Sequence, residues 1–236
     1  MSAGPLRAAI FDVDGVLLAS PHERAWREAL AGITDPARFT TAMYQAAVAG
    51  KPRMQGALAA LEALGIPDAA GQVTAYADRK QARLEALIAG GHVAAFPDAL
   101  RFVAAVSALG WPMAVASSSK NANAMLKQIH LADGRNLLGL FQANVCGRDL
   151  RRGKPDPEIF ELAAQELHAA PDHCFVVEDA PAGIEAARGG GMAALGVARL
   201  QDQAGLLAAH ADIVVANLDE VKLDALARGS LGRAPA

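Results

Sequence analysis

The sequence predicts an α/β fold: a doubly wound, mostly parallel sheet with an α-helical domain inserted into it. Three observations carry this. From residue 95 onward, short apolar runs alternate with helical patterns, the rhythm of a parallel sheet covered on both faces. One further run of this kind, "LRAAIF", stands alone near the N-terminus. Between it and "AFPD" the pattern is helical throughout and holds no strand candidate. The isolated strand therefore belongs with the later ones, and the helical stretch is an insertion, a cap on an α/β core. The expected division is a discontinuous core over 1–17 and 95–236 and a cap over 18–94.

Taken in order, "LRAAIF" is the first strand. In the insertion, "ERAWREALAGI", "PARFTTAMYQAAVAG", "PRMQGALAALEALG" and "DAAGQVTAYADRKQARLEALIAGG" each carry apolar residues at helical spacing and end near glycine. After "AFPD", "DALRFVAAVSALG" is helical and "WPMAVASSS" is a strand that ends in hydroxyls. "NANAMLKQIH" is a helix, "QANVCG" a short strand, and "PDPEIFELAAQELH" a helix with proline in its first turn. "CFVVED" is a strand, "PAGIEAARGGG" a helix, and "AALGVA" and "DIVVA" are two more strands. The C-terminal "RGSLGRAPA" reads as a loose end.

Composition narrows the function classes. A chain of 236 residues with 53% apolar and 20% charged residues can bury a sizeable core and solvate its surface. A net charge of −3 with mixed signs along the chain leaves no footprint for nucleic acid. The longest apolar run near the N-terminus is too short for a membrane span and carries two charges. Cys146 and Cys174 have no metal-site company, and no signal peptide is visible, so reduced thiols in a cytoplasmic protein are expected. The expected assembly state is a monomer or weak oligomer.

The chemistry lies at the strand ends. In open parallel sheets, ligands bind beyond the carboxyl ends of the strands. Asp12 and Asp14 follow the first strand, Ser117 follows "MAVA", and Glu178 and Asp179 end "FVVED". The segment "CGRDLRRGKPDP" carries Lys154 into the next helix. Each of these alone is more often a cap, a turn or a solvated side chain. In this order, each at a strand end or in the loop after it, they point to one site. Two like charges about 4 Å apart at an effective dielectric near 20 repel by roughly 4 kcal/mol. A hard divalent cation relieves such crowding, and Mg²⁺ suits an all-oxygen site that combines one or two carboxylates with waters and a substrate phosphate.

These residues resemble the haloacid dehalogenase superfamily of phosphotransferases. "FDVDGVL" resembles its first motif, "VASSS" its second, "GKPDP" its third and "VVEDA" its fourth. The helical insertion is similar to the subfamily's C1 cap. The resemblance implies that Asp12 is a nucleophile forming an aspartyl-phosphate and that Asp14 is the general acid, then base. It implies that Ser117, Ser118 and Lys154 hold the transferring phosphate. Mg²⁺ would be bound by Asp12, the backbone carbonyl of Asp14, and Asp179, with Glu178 in or beside that shell. Asp14 favours phosphate chemistry over dehalogenation, because halide leaves without a proton.

The cap resembles that of β-phosphoglucomutase and its phosphatase relatives. "HERAW" implies roles for His22 and Trp26, "GKPR" a substrate-gripping Arg53, and "DRK" a site-facing Lys80. "SSSKN" places Ser119, Lys120 and Asn121 near phosphate. Two departures bear on the substrate. The linker "GVLLASPH" lacks the mutases' Asp-Thr, and Gly56 stands where mutases can have serine. The implied activity is hydrolysis of a small sugar phosphate, with hexose-phosphate isomerisation as the alternative. Retention of Asp12, Asp14 and Lys154 speaks against a third reading, a non-catalytic binder of phosphorylated ligands.

Overall fold

The computed structural model describes residues 4–199 and 202–234. It divides into two compact units: residues up to Ala19 together with those from Ala95 onward, and Ser20–Ala94.

The chain begins with β1 (Ala8–Phe11) and leaves the first unit through β2 (Leu18–Ala19). The second unit holds α1 (His22–Glu28), α2 (Thr41–Met43), α3 (Arg53–Ala63) and α4 (Ala69–Ala89). After β3 (Ala94–Ala95) come α5 (Pro97–Ala108), β4 (Met113–Val115), α6 (Ala122–Gln128), β5 (Ala143–Asn144) and α7 (Glu158–Glu166). The chain then runs through β6 (Cys174–Glu178), α8 (Pro181–Gly189), β7 (Ala193–Val197), α9 (Gln203–Ala208), β8 (Ile213–Val215) and α10 (Leu223–Ala227).

The main sheet has the order β5-β4-β1-β6-β7-β8, and its pairings are parallel. Counted within the core alone this is the doubly wound order 3-2-1-4-5-6. β1 lies at the centre, so both of its faces must be apolar, and all four of its residues are fully buried. Alternation along the strand sorts them. Ala8 and Ile10 join the cluster of Phe160, Val176 and Ile184 beneath α7 and α8. Phe11 faces the other way and meets Phe102 of α5 and Phe141 edge-on, at 6.1 and 5.8 Å between ring centroids.

The second unit has its own core of Trp26, Leu30, Phe39, Leu61 and Tyr76. Tyr76 is fully buried, and its hydroxyl donates to the Trp26 carbonyl at 2.9 Å. Burial pushes its phenol well above the usual tyrosine range.

Three expectations need correction. The helix expected over "PARFTTAMYQAAVAG" is broken into a 3₁₀ turn at Pro36–Arg38, α2, and a π-helical segment at Tyr44–Val48. Two separate caps cause the break: the Asp35 side chain accepts from Ala37 N, and Thr40 accepts from Met43 N. The C-terminal segment is not loose. Gly229 O accepts from Leu6 N, Gly232 O accepts from Lys222 N, and Ala234 N donates to Glu220 O; the last two residues lie outside the described residues. The expected strand "QANVCG" is reduced to Ala143–Asn144. Among the described residues no helix is long and apolar enough to cross a membrane. Cys146 and Cys174 are free and buried.

Candidate active site

β1 and β6 are neighbours at the point where the strand order reverses, and the candidate residues cluster at their carboxyl ends. The register sets this. Phe11 is level with Val177, and the ladder runs one step further as Asp12 N donates to Val177 O at 3.0 Å. Asp12 therefore sits beside Glu178, fixed by the sheet itself. The chain then turns at Gly15, whose φ of 81° is costly for any residue with a Cβ. Leu17 N and Leu18 N both donate back to Val13 O, at 3.0 and 2.9 Å, closing the turn that carries Asp14.

Lys154 reaches this point from the loop before α7. Glu158, in the first turn of that helix, accepts from Arg152 N at 3.0 Å, and Asp156 accepts from Glu158 N at 3.1 Å. These bonds fold the loop onto the helix. The ammonium lies 4.8 Å over the Phe160 ring and donates to Asp12 Oδ1 at 2.6 Å and to Glu178 Oε1. All three residues are buried. Glu178 Oε2 accepts from Asp179 N and Ala180 N, each at 2.9 Å. A Cβ built on Gly183 of α8 would fall 1.9 Å from Glu178 Oε1, so glycine there makes room for the carboxylate.

The electrostatics follow from crowding. Burial, with Glu178 and Asp14 pushing the same way, raises the Asp12 carboxyl to about 7, although Lys154 holds it down. Asp179 is raised well above the usual carboxylate range by burial first, then by Glu178, Asp12 and Asp14. Burial alone would push the Lys154 ammonium down, but Asp12 and Glu178 outweigh it and raise it instead. The Cys146 thiol is pushed up to about 12, mainly by burial, and stays a neutral packing group.

The structure brings Ser117 to the same place. It is buried, its hydroxyl lies 3.5 Å from Asp14 Oδ2, and its oxygen accepts from Ser119 N at 3.1 Å. Ser118 continues the same turn. Asn121 N donates to Ser119 Oγ at 3.3 Å, which orders the start of α6. Lys120 points elsewhere and pairs with Asp149 on the exposed surface at 2.8 Å.

In the second unit, α1 and α4 bring His22 and Lys80 together, with Lys80 Nζ 3.0 Å from His22 Nδ1. Lys80 is 3% exposed and stands 4.8 Å over the Trp26 indole. Trp26 is buried against Tyr76, at 5.3 Å between rings, so its surroundings are those of a core residue. Arg53 is exposed at the first residue of α3. Gly56 is buried, and a Cβ there would meet Val48 at 3.2 Å and Trp26 at 3.3 Å.

Among the described residues, no three Asp, Glu, His or Cys side chains converge as a ready-made ion cage. The Glu178 oxygens are taken by Lys154 and two backbone amides. The remaining donors still fit a magnesium ion, which needs only one or two carboxylates alongside carbonyl, water and phosphate oxygens. A Cβ on Gly15 would fall 1.9 Å from Asp179 Oδ2, so this glycine leaves a cradle in which an acid approaches the Asp14 turn.

Arg199 and Asp98 escaped the sequence reading. Arg199 stands just beyond the carboxyl end of β7, the same signal that selects the other residues, and its guanidinium donates to Gly15 O and Val16 O.

A family model described as haloacid dehalogenase-like hydrolase matches residues 6–191. A β-phosphoglucomutase of Mycobacterium bovis is 35% identical over a 245-residue alignment covering 92% of this chain and 91% of the relative. A fructose-1-phosphate phosphatase of Escherichia coli is 33% identical over 196 residues, covering 80% of this chain and 94% of the relative. The crystal structure of an archaeal β-phosphoglucomutase from Pyrococcus superposes with a TM-score of 0.72 at 30% identity, covering 94% of this chain and 99% of that one.

Proposed function

The chain belongs to the haloacid dehalogenase-like hydrolases and is an enzyme of phosphatase or phosphomutase type, and on that premise we propose that it hydrolyses a small sugar phosphate through an aspartyl-phosphate on Asp12, with Mg²⁺. One observation carries this reading: the buried ammonium of Lys154 held between Asp12 and Glu178 at the mouth of the sheet. Phosphoryl transfer asks a protein chiefly for in-line positioning and charge neutralisation, and that trio supplies a fixed nucleophile beside a fixed cation.

In this reading an Asp12 oxygen attacks phosphorus as the bond to the sugar oxygen breaks, and Asp14 gives that oxygen its proton. Water then attacks the aspartyl-phosphate, passes a proton back to Asp14, and Asp12 leaves. Ser117, Ser118 and Lys154 hold the phosphoryl oxygens. Glu178, its oxygens already engaged, orients Lys154. Asp12, the Asp14 carbonyl and Asp179 would hold Mg²⁺, which supplies positive charge against the phosphate when bound. In the cap, His22, Arg53 and Lys80 would take the far end of the substrate; an arginine fork suits a second phosphate. Free buried thiols accord with a cytoplasmic setting, and we expect a monomer or weak oligomer.

Hydrolysis is preferred over isomerisation because of the linker. A mutase must hold a bisphosphate intermediate while it turns around, yet Val16, Leu17 and Leu18 are all fully buried apolar residues, and only Ser20 offers a hydroxyl. The crowding around Gly56 likewise leaves little space for a serine. The mutase reading keeps one specific support, the likeness to named β-phosphoglucomutases. A panel of sugar phosphates with Mg²⁺, followed by phosphate and product-isomer detection, tests both. One free phosphate per ester consumed is expected. Conversion of β-glucose 1-phosphate to glucose 6-phosphate without phosphate release would replace the hydrolase reading with the mutase one.

The acids also predict a pH-dependent metal response. Asp12 and Asp179 hold protons more tightly folded than unfolded. For Asp12 the stability this gives is fully present below about pH 4 and is lost as pH rises through about 7, and Asp179 acts in the same direction. Mg²⁺ competes with those protons. The rise in melting temperature on adding Mg²⁺ should therefore be small at pH 5.5 and larger at pH 8. An equal rise at both would mean that these carboxylates do not share the ion.

A further inference from the structure

We propose that Arg199 is a positioning residue for the turn that carries Asp14, with Asp98 as its anchor. The proposal rests on the phosphoryl-transfer reading above. Arg199 spends its whole guanidinium fork on that turn and its surroundings. Nε donates to Gly15 O at 2.8 Å and one terminal nitrogen to Val16 O at 2.9 Å. The other terminal nitrogen donates to both oxygens of Asp98, at 3.2 and 3.0 Å. The guanidinium carbon lies 3.7 Å from the Phe96 ring centroid, and Phe96 N donates to Leu17 O at 3.0 Å.

The anchor is itself fixed. Asp98 is buried in the first turn of α5, and its Oδ2 also accepts from Leu218 N at 2.8 Å. The plane of the guanidinium is thus set by the carboxylate on one edge and by the ring beneath it. A planar donor set in a fixed orientation makes demanding bonds. The two residues that follow Asp14 cannot slide without breaking one of them.

An ion pair serving stability alone would need only Asp98. Here the same cation also grips the carbonyls of two consecutive residues next to the acid that must exchange protons with substrate and water. Asp179 closes on Gly15 as well, as the close approach at its missing Cβ shows. The turn is held from both of these directions. Proton transfer is sensitive to such placement: an error of about 1 Å costs on the order of a hundredfold in rate.

The test compares two leaving groups. A sugar alkoxide needs the Asp14 proton to depart, whereas p-nitrophenolate leaves readily without it. Arg199→Lys keeps the charge beside Asp98 but cannot span two carbonyls and a carboxylate in one plane. For the best sugar phosphate of the panel, kcat/KM should fall about 30- to 100-fold, and for p-nitrophenyl phosphate by less than about fivefold. KM for the sugar phosphate should move by less than about threefold. An equal fall for both substrates, or no fall, overturns the proposal. Should Arg199→Lys fail to fold, Asp98→Asn provides the same comparison, because it keeps the bonds to the carbonyls and loosens only the anchor. It should give the same selective loss at roughly five- to tenfold, and an unselective loss overturns the proposal there too. Wild-type protein that turns over neither substrate sinks the hydrolase reading first, and the role of Arg199 with it.

Discussion

Asp12→Asn is expected to abolish turnover of every phosphate ester, a fall of at least about four orders of magnitude in kcat, in a protein that melts at the same temperature or higher. The two halves of this result have separate causes. An amide is not an anionic nucleophile, so the covalent step has no substitute. The fold, by contrast, loses little. The amide oxygen of asparagine can still accept from Lys154 Nζ where Asp12 Oδ1 does at 2.6 Å, and Glu178 keeps that ammonium paired. A neutral amide also removes the cost of burying a charge there, the main reason that Asp12 is lifted to about 7, and the smaller repulsion from Glu178 and Asp14. Mass spectrometry of the quenched reaction should find a phosphorylated wild-type chain and none for the variant. Residual turnover above about one per cent would mean that another group attacks phosphorus.

The sequence showed the parts of the molecule that local patterns determine. β1, β4 and β6 are visible because buried central strands must be apolar throughout, and the acids beyond β1 and β6 stand out against that background. The broken helix was legible too: Asp35 and Thr40 are separate start signals inside one apolar pattern. Periodicity outweighed them wrongly. What could not be read is which partner a polar group takes. Glu178 and Asp179 look alike in sequence, but backbone amides and Lys154 claim the first, while the second faces Gly15. His22 and Lys80 lie 58 residues apart and meet only because α1 packs on α4. Trp26 within "HERAW" reads as a packing residue before a recognition one, and its ring is buried against Tyr76. Arg199 was hidden for a different reason. Its partners include main-chain carbonyls, which leave no trace in residue identity.

Lys154→Met should be the most destabilising single change at the site, costing about 3–5 kcal/mol, besides removing activity. Methionine matches the stem in length, so packing against Phe160 survives and the loss is electrostatic. What remains is Asp12 and Glu178, two buried carboxylates with no cation between them. Asp12, already raised to about 7 chiefly by burial, finds relief by taking up a proton, so the penalty should be smaller at pH 5.5 than at pH 8. A second change isolates this cause. Glu178→Gln in the Lys154→Met background removes one of the two stranded charges, and the double variant should be more stable than the sum of the single losses predicts, by about 1–3 kcal/mol. Urea unfolding of the four proteins at both pH values measures the coupling. If Lys154→Met is as stable as the wild type at pH 8, then the ammonium does not neutralise these acids in solution, and the charge arrangement from which the phosphoryl-transfer chemistry was argued is not the one the protein uses.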